Sequence, residues 1–193
     1  MGAKLSSNLQ KSNETLKNFL QTTNRINEID KKNSILHYLF FYKKNDELID
    51  SFLDRKPNVK LQNGKTVLHV ALENNFSNSE IIEKILKLGF DLDIRDNDTV
   101  LHIACWKGAK KEIVEILIKY GADVNAHGNT TPLHDASKCK KTNLISILLD
   151  NGADINSRDN DTPLHITCKH SGGVENITEL LRGGADVFAL NNV

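Results

Sequence analysis

Apolar residues in this chain gather at helical spacing. Ile81, Ile82, Ile85 and Leu86 form one such group, and Leu144, Ile145, Leu148 and Leu149 form another. Residues three and four apart share one face of a helix, so each group predicts a short amphipathic helix. Between the groups lie polar runs with turn chemistry, at Asn63-Gly64, Asp96-Asn97, His127-Gly128 and Asp159-Asn160. Gly89, Gly121 and Gly152 stand just past three of the helical stretches, where a left-handed residue ends a helix at little cost. Thr131 and Thr162 open two further stretches and are followed by Pro132 and Pro163. Threonine is a good N-cap, and proline is favoured at the first helical position. The pattern predicts an all-α protein built from pairs of short helices.

The pattern also recurs. Leu-His pairs occur at Leu36-His37, Leu68-His69, Leu101-His102, Leu133-His134 and Leu164-His165, with histidines 32, 33, 32 and 31 residues apart. Each pair opens a block that runs through apolar helical stretches to a Gly-Ala-Asp or similar turn, as in TPLHDASKCKKTNLISILLDNGADINS and TPLHITCKHSGGVENITELLRGGADVFA. From the Val, Leu or Ile that opens each polar segment to the next histidine is always 10 residues: Val59 to His69, Leu92 to His102, Val124 to His134 and Ile155 to His165. Length varies instead in the turn within a helix pair, notably at NNFSNS (74–79). One helix pair cannot bury both its faces, so such units gain stability by stacking on their neighbours.

The repeated phrase resembles the ankyrin repeat: Thr-Pro-Leu-His opening a first helix, a turn, a second helix, then a Gly-Ala-Asp-Val-Asn finger. Its fingers are slightly shorter than the usual family pattern. The resemblance covers residues 33–193 and divides them into five repeats, 33–64, 65–97, 98–129, 130–160 and 161–193. Ahead of these, 1–14 reads as a flexible segment and 15–32 as a degenerate capping half-repeat, with Leu16, Phe19, Leu20, Ile26 and Ile29 covering the first repeat. The implied fold is an ankyrin-repeat solenoid of stacked helix-turn-helix units with short hairpin-like fingers. Within it, the motif Thr and His are expected to bond one another and tie adjacent units together. At the far end Leu180 and Leu181 have no following unit; either the last helix tolerates exposure or the protein continues past Val193, and continuation is the expectation.

Ankyrin stacks bind other proteins along a concave groove lined by first helices and fingers. Motif position places Tyr38, Phe41, Tyr42, Glu73, Asn74, Trp106, Lys107, Asp135, Lys138, Lys169 and His170 in that groove, with Gln62, Arg95, His127 and Arg158 on the fingers. Trp106 is the sole tryptophan and sits where the repeat is normally polar and variable. Aromatics cluster in the first repeat while Lys107, Lys138, Lys169, Arg95 and Arg158 make the later ones basic, which suits an acidic, partly apolar peptide or helix. Asn125 and Asn156 hold the finger position that is hydroxylated in some family members.

Composition narrows the alternatives. Lysine plus arginine and aspartate plus glutamate balance at 25 each, so no overall field draws in nucleic acid. Three cysteines make an odd count that argues against a disulfide framework and fits a reducing, cytoplasmic setting. Cys105, Cys139 and Cys168 show no zinc-knuckle spacing. Cys105 and Cys168 fall where the family carries alanine and are expected to be buried; Cys139 is expected to be more exposed. No glycine-rich phosphate loop follows a strand, and no cofactor is implied. The pair His134-Asp135 invites a catalytic reading, but the same histidine recurs four more times without the aspartate, so it reads as structural. No apolar run approaches a membrane span. MGAKLSS fits Met-Gly-x-x-x-Ser, which makes Gly2 a candidate N-myristoyl acceptor unless the match is chance. Residues 1–32 carry six Lys/Arg against three Asp/Glu, and one acyl chain would give only weak membrane association.

The sequence thus points to a monomeric, non-enzymatic scaffold or adaptor for a protein partner. Two alternatives share its groove: a regulatory or substrate-recruiting module of a longer enzyme, and a host-directed effector of an intracellular microbe.

Overall fold

The computed structural model describes residues 36, 39–40, 46–54, 65–89, 91–94, 98–139, 143–170 and 173–191. The expected flexible segment, the capping half-repeat and Gly2 fall outside them, as do His37, Tyr38, Phe41, Tyr42, Gln62 and Arg95.

Among the described residues the chain runs α1 (Asp46–Leu53), α2 (Val67–Glu73), α3 (Ser79–Leu86), α4 (Val100–Trp106), α5 (Lys111–Lys119), α6 (Pro132–Lys138), α7 (Asn143–Asp150), α8 (Pro163–Lys169) and α9 (Val174–Arg182). The first helices stack in series, α2 on α4, α4 on α6 and α6 on α8. The second helices form a parallel layer, α1 on α3, α3 on α5, α5 on α7 and α7 on α9. The all-α ankyrin solenoid expected from the sequence is what forms.

The start of each first helix follows from its threonine. Thr66, Thr99, Thr131 and Thr162 all hold extended backbone just before the helix, with ψ between 162 and 166°. Each donates its backbone N–H to Nδ1 of the histidine three residues on, at 3.1, 3.3, 3.3 and 3.3 Å. An orphan N–H at the helix start is thereby satisfied without water. The turn between helices needs a left-handed residue, supplied by Gly108 in one unit and by Asn75 (φ 58°) in another; asparagine tolerates that region better than most side chains. The insertion at 74–79 folds Phe76 inward, edge-on to Phe40 with ring centroids 4.8 Å apart.

Fingers are built from turns. In four of them an aspartate carboxylate accepts the N–H two residues on: Asp91 from Asp93, Asp123 from Asn125, Asp154 from Asn156 and Asp186 from Phe188, at 2.9–3.0 Å. Asp159 and Asp161 pair in an isolated antiparallel bridge, and Asp98 holds the same kind of position one finger earlier.

The core runs the length of the stack between the two helix layers. Leu68, Leu101 and Leu133 from the first helices and Ile82, Ile113, Leu117, Ile145, Leu148 and Leu180 from the second are essentially inaccessible to solvent. Leu180 therefore needs no following unit to be buried, contrary to expectation, whereas Leu181 beside it is 45% exposed. The outer layer is tied by charge: Lys84 bonds Asp50, and Glu83 accepts from Lys119 at 3.3 Å and from the Tyr120 hydroxyl at 3.1 Å. The Lys119 bond, then the Tyr120 bond, hold the Glu83 carboxyl below the usual carboxylate range.

Candidate binding surface

The histidines define what is joint and what is surface. Nε2 of His69 lies 3.2 Å from the Asp98 carbonyl, that of His102 2.9 Å from Thr130 O, and that of His134 2.9 Å from Asp161 O. A carbonyl only accepts, so Nε2 carries the proton; Nδ1, facing a backbone N–H, must accept. Thr Oγ1, 2.8 Å from Nδ1 at all three joints, then donates. The imidazole is held as its neutral Nε2–H tautomer, and each joint spans two consecutive repeats. His134 is spent on Thr131 and Asp161, while the adjacent Asp135 accepts from Lys138 at 2.9 Å. These two neighbours in sequence thus serve different contacts.

At the fifth repeat the joint is half made. Thr162 Oγ1 lies 2.9 Å from His165 Nδ1, but no carbonyl stands opposite Nε2 among the described residues, and the ring is only half-buried.

The expected groove residues separate into three groups. Trp106 is 56% exposed at the end of α4, with the Lys107 ammonium 4.4 Å from its ring centroid. That distance is within cation–π range and places the ammonium over the indole. His127, Arg158, Lys169 and His170 are also exposed, and Glu73, Asn74, Lys107 and Lys138 are half-buried. The third group departs from expectation: Asp135 is only 6% exposed. It is enclosed within the stack of first helices and paired with Lys138 rather than offered to a partner.

Much of the expected positive charge is cancelled inside the protein. Lys138 pairs with Asp135 at 2.9 Å, Lys169 with Asp161 at 2.7 Å, and Lys65 with Glu73 at 2.8 Å. The Lys169 bond holds the Asp161 carboxyl below its ordinary value. Among the described groove lysines, Lys107 is the one whose recorded contact is an aromatic face instead of a carboxylate. A wide polar cleft of about 550 Å³ lies apart from Trp106, against the 74–79 turn, and includes Asn74, Asn78, Asp46 and Lys110.

The cysteines also divide. Cys105 is fully enclosed, and burial pushes its thiol well above the ordinary value. Cys139 is half-buried as expected, but Cys168 is exposed. The slot is the same in both repeats, but among the described residues no first helix stacks on α8 to cover Cys168 as α6 stacks on α4. Asn176, to which the sequence drew no notice, is buried on α9 and donates to the Cys139 carbonyl at 2.7 Å, clamping the turn after α6. Among the described residues no group of three or more His, Cys, Asp or Glu could hold a metal ion, and no helix is long and apolar enough to cross a membrane.

Stacked helix pairs joined through a buried Thr–His–carbonyl link define a repeat protein of the helical solenoid class. A family model of ankyrin repeats in sets of three copies matches residues 5–96, 36–128, 77–159 and 101–191, and the chain belongs to the ankyrin-repeat family. A search of curated proteins finds no match to it. Ankyrin repeats generally mediate protein–protein interaction and are typically non-catalytic.

Proposed function

We propose that the protein is a scaffold that captures one protein partner in its concave groove, with Trp106 and Lys107 as the anchor. The supporting observation is the large indole left 56% exposed beside an ammonium that no described carboxylate neutralises. Tryptophan, with tyrosine and arginine, dominates binding hot spots. The matching partner surface carries an apolar side chain to cover the indole and a carboxylate to meet Lys107. With Lys138 and Lys169 paired internally, the demand is for one well-placed acidic group rather than a strongly acidic partner. Trp106→Ala is expected to weaken the partner by about 2 kcal/mol or more with Tm unchanged. Equal partner affinity in titration calorimetry, with folding intact, rules out the anchor.

The setting proposed is the reducing cytoplasm, in keeping with three unpaired cysteines. Acylation of Gly2 would add weak, reversible membrane contact; intact mass after expression in a eukaryotic host, with or without a myristoyl increment, decides that point.

A further inference from the structure

The turn between α2 and α3 has five residues (74–78), where the three later turns have four (107–110, 139–142 and 170–173). The extra length accommodates Phe76, which folds in against Phe40, while Asn75 and Ser77 on either side of it are exposed. Beside this turn lies the polar cleft of about 550 Å³, a volume in the range of ligand sites. Its walls come from three successive repeats. Asp46 opens α1, Ser79 and Glu80 open α3, and Lys110 precedes α5. These three helices lie side by side in the outer layer. Elsewhere in that layer cations close on carboxylates of the neighbouring unit, as Lys84 does on Asp50 and Lys119 on Glu83. Across the cleft they do not. Lys110 and Glu80 are exposed and line one space, yet among the described residues no hydrogen bond or ion pair holds either side chain. The hydroxyls of Ser77 and Ser79 and the Asn75 amide are unbonded in the same sense.

We propose that this cleft is a second binding site, taking an extended peptide segment with a basic residue at one end and an acidic residue at the other. The charges fix the polarity of the occupant. Its acid meets Lys110 in the third repeat, and its base meets Asp46 and Glu80 in the first and second. Asp46 accepts from Asn78 at 2.8 Å through Oδ2, which leaves Oδ1 for the occupant. The length follows from the layer. Packed helices stand about 8–10 Å apart, so the two steps from α1 to α5 span about 16–20 Å. An extended chain covers that distance in about five or six residues. Between the ends, the free hydroxyls and the Asn75 amide suit the N–H and C=O groups of a peptide backbone. A compact ligand cannot reach both charged ends at once. The cleft lies apart from Trp106, so the site stands whether or not the indole anchors a partner in the groove.

The test is a titration of the isotope-labelled 193-residue chain with two end-blocked hexapeptides, Arg-Ala-Ser-Ala-Ser-Glu and its reverse, followed by amide NMR shifts. One order should bind with a Kd on the order of 1 mM, moving the amides of Asn75, Ser77 and Lys110 and leaving the Trp106 indole signal in place. Lys110→Glu should weaken that peptide at least about fivefold, and should strengthen a version whose Glu is replaced by Arg, because the charge demand is reversed. The Lys110 side chain makes no cap bond to α5, so the variant removes no internal contact, and circular dichroism verifies its fold. No shift with either order up to about 5 mM, equal binding of a hexapeptide with Ala at both ends, shifts centred on Trp106, or indifference to Lys110→Glu would each overturn the proposal.

Discussion

The joints made by the third and fourth repeats and the far side of the fifth carry nearly the same letters and behave differently. His134 and His165 both follow Thr-Pro-Leu, yet His134 is inaccessible to solvent and His165 half-exposed. Cys105 is enclosed and Cys168 open. Leu149 is half-buried against the core, while its repeat equivalent Leu181 is 45% exposed. In a stack, a residue's environment is half its own sequence and half its neighbour's. Motif position fixes where a side chain points; only the next repeat fixes whether anything is there.

That contrast can be broken by making like substitutions at both places. The largest effect is expected from apolar truncation: Leu117→Ala should cost about 2–5 kcal/mol, and Leu181→Ala less than about 1 kcal/mol, read from urea denaturation midpoints. Next comes the joint itself. His134→Ala strips the partner from the buried Thr131 N–H and from the partly buried Asp161 carbonyl, and should cost about 2–4 kcal/mol. His165→Ala, with one side already open, should cost less than half as much, and equal losses would mean the joints carry no inter-repeat energy. Thiol labelling tests the same difference kinetically. Cys168 should react with a thiol reagent at once, and Cys105 only on the timescale of opening, because burial opposes its thiolate. Smallest is the outer charge link. Glu83 is held below its ordinary value, so its stabilisation is present at neutral pH and is lost as pH falls through its folded-state pKa. Glu83→Gln should lower Tm slightly at neutral pH and hardly at all near about pH 3.

Much of the fold was legible because its causes are local. Apolar spacing in α3 and α7 and threonine before α6 and α8 each act within a few residues, so the chain order of elements could be read directly. The finger aspartates, Asp91, Asp123, Asp154 and Asp186, were legible as part of the motif, but their role as acceptors two residues on emerges only from the turn geometry. The binding surface was less legible. Asp135 shares the motif slot of Ile103, and although Lys138 lies within i, i+3 reach of it, its burial is set by the neighbouring first helices and not by its own helix. Pairing of Lys169 with Asp161 spans eight residues and crosses from helix to finger, beyond the reach of any helical periodicity. Asn176 reaches 37 residues back to a carbonyl, a contact that belongs to packing rather than to a word in the chain.

The Thr–His–carbonyl joints reach only 27 to 29 residues along the chain, from one repeat to the next and no farther. Mechanically, the described stack is thus a row of similar links fastened in series, with its least fastened link, among the described residues, at the fifth repeat. Pulled from its ends in an optical trap, it should pay out in even steps of roughly 100 Å, about one repeat of extended chain each, beginning at the fifth repeat, where no carbonyl among the described residues stands opposite His165.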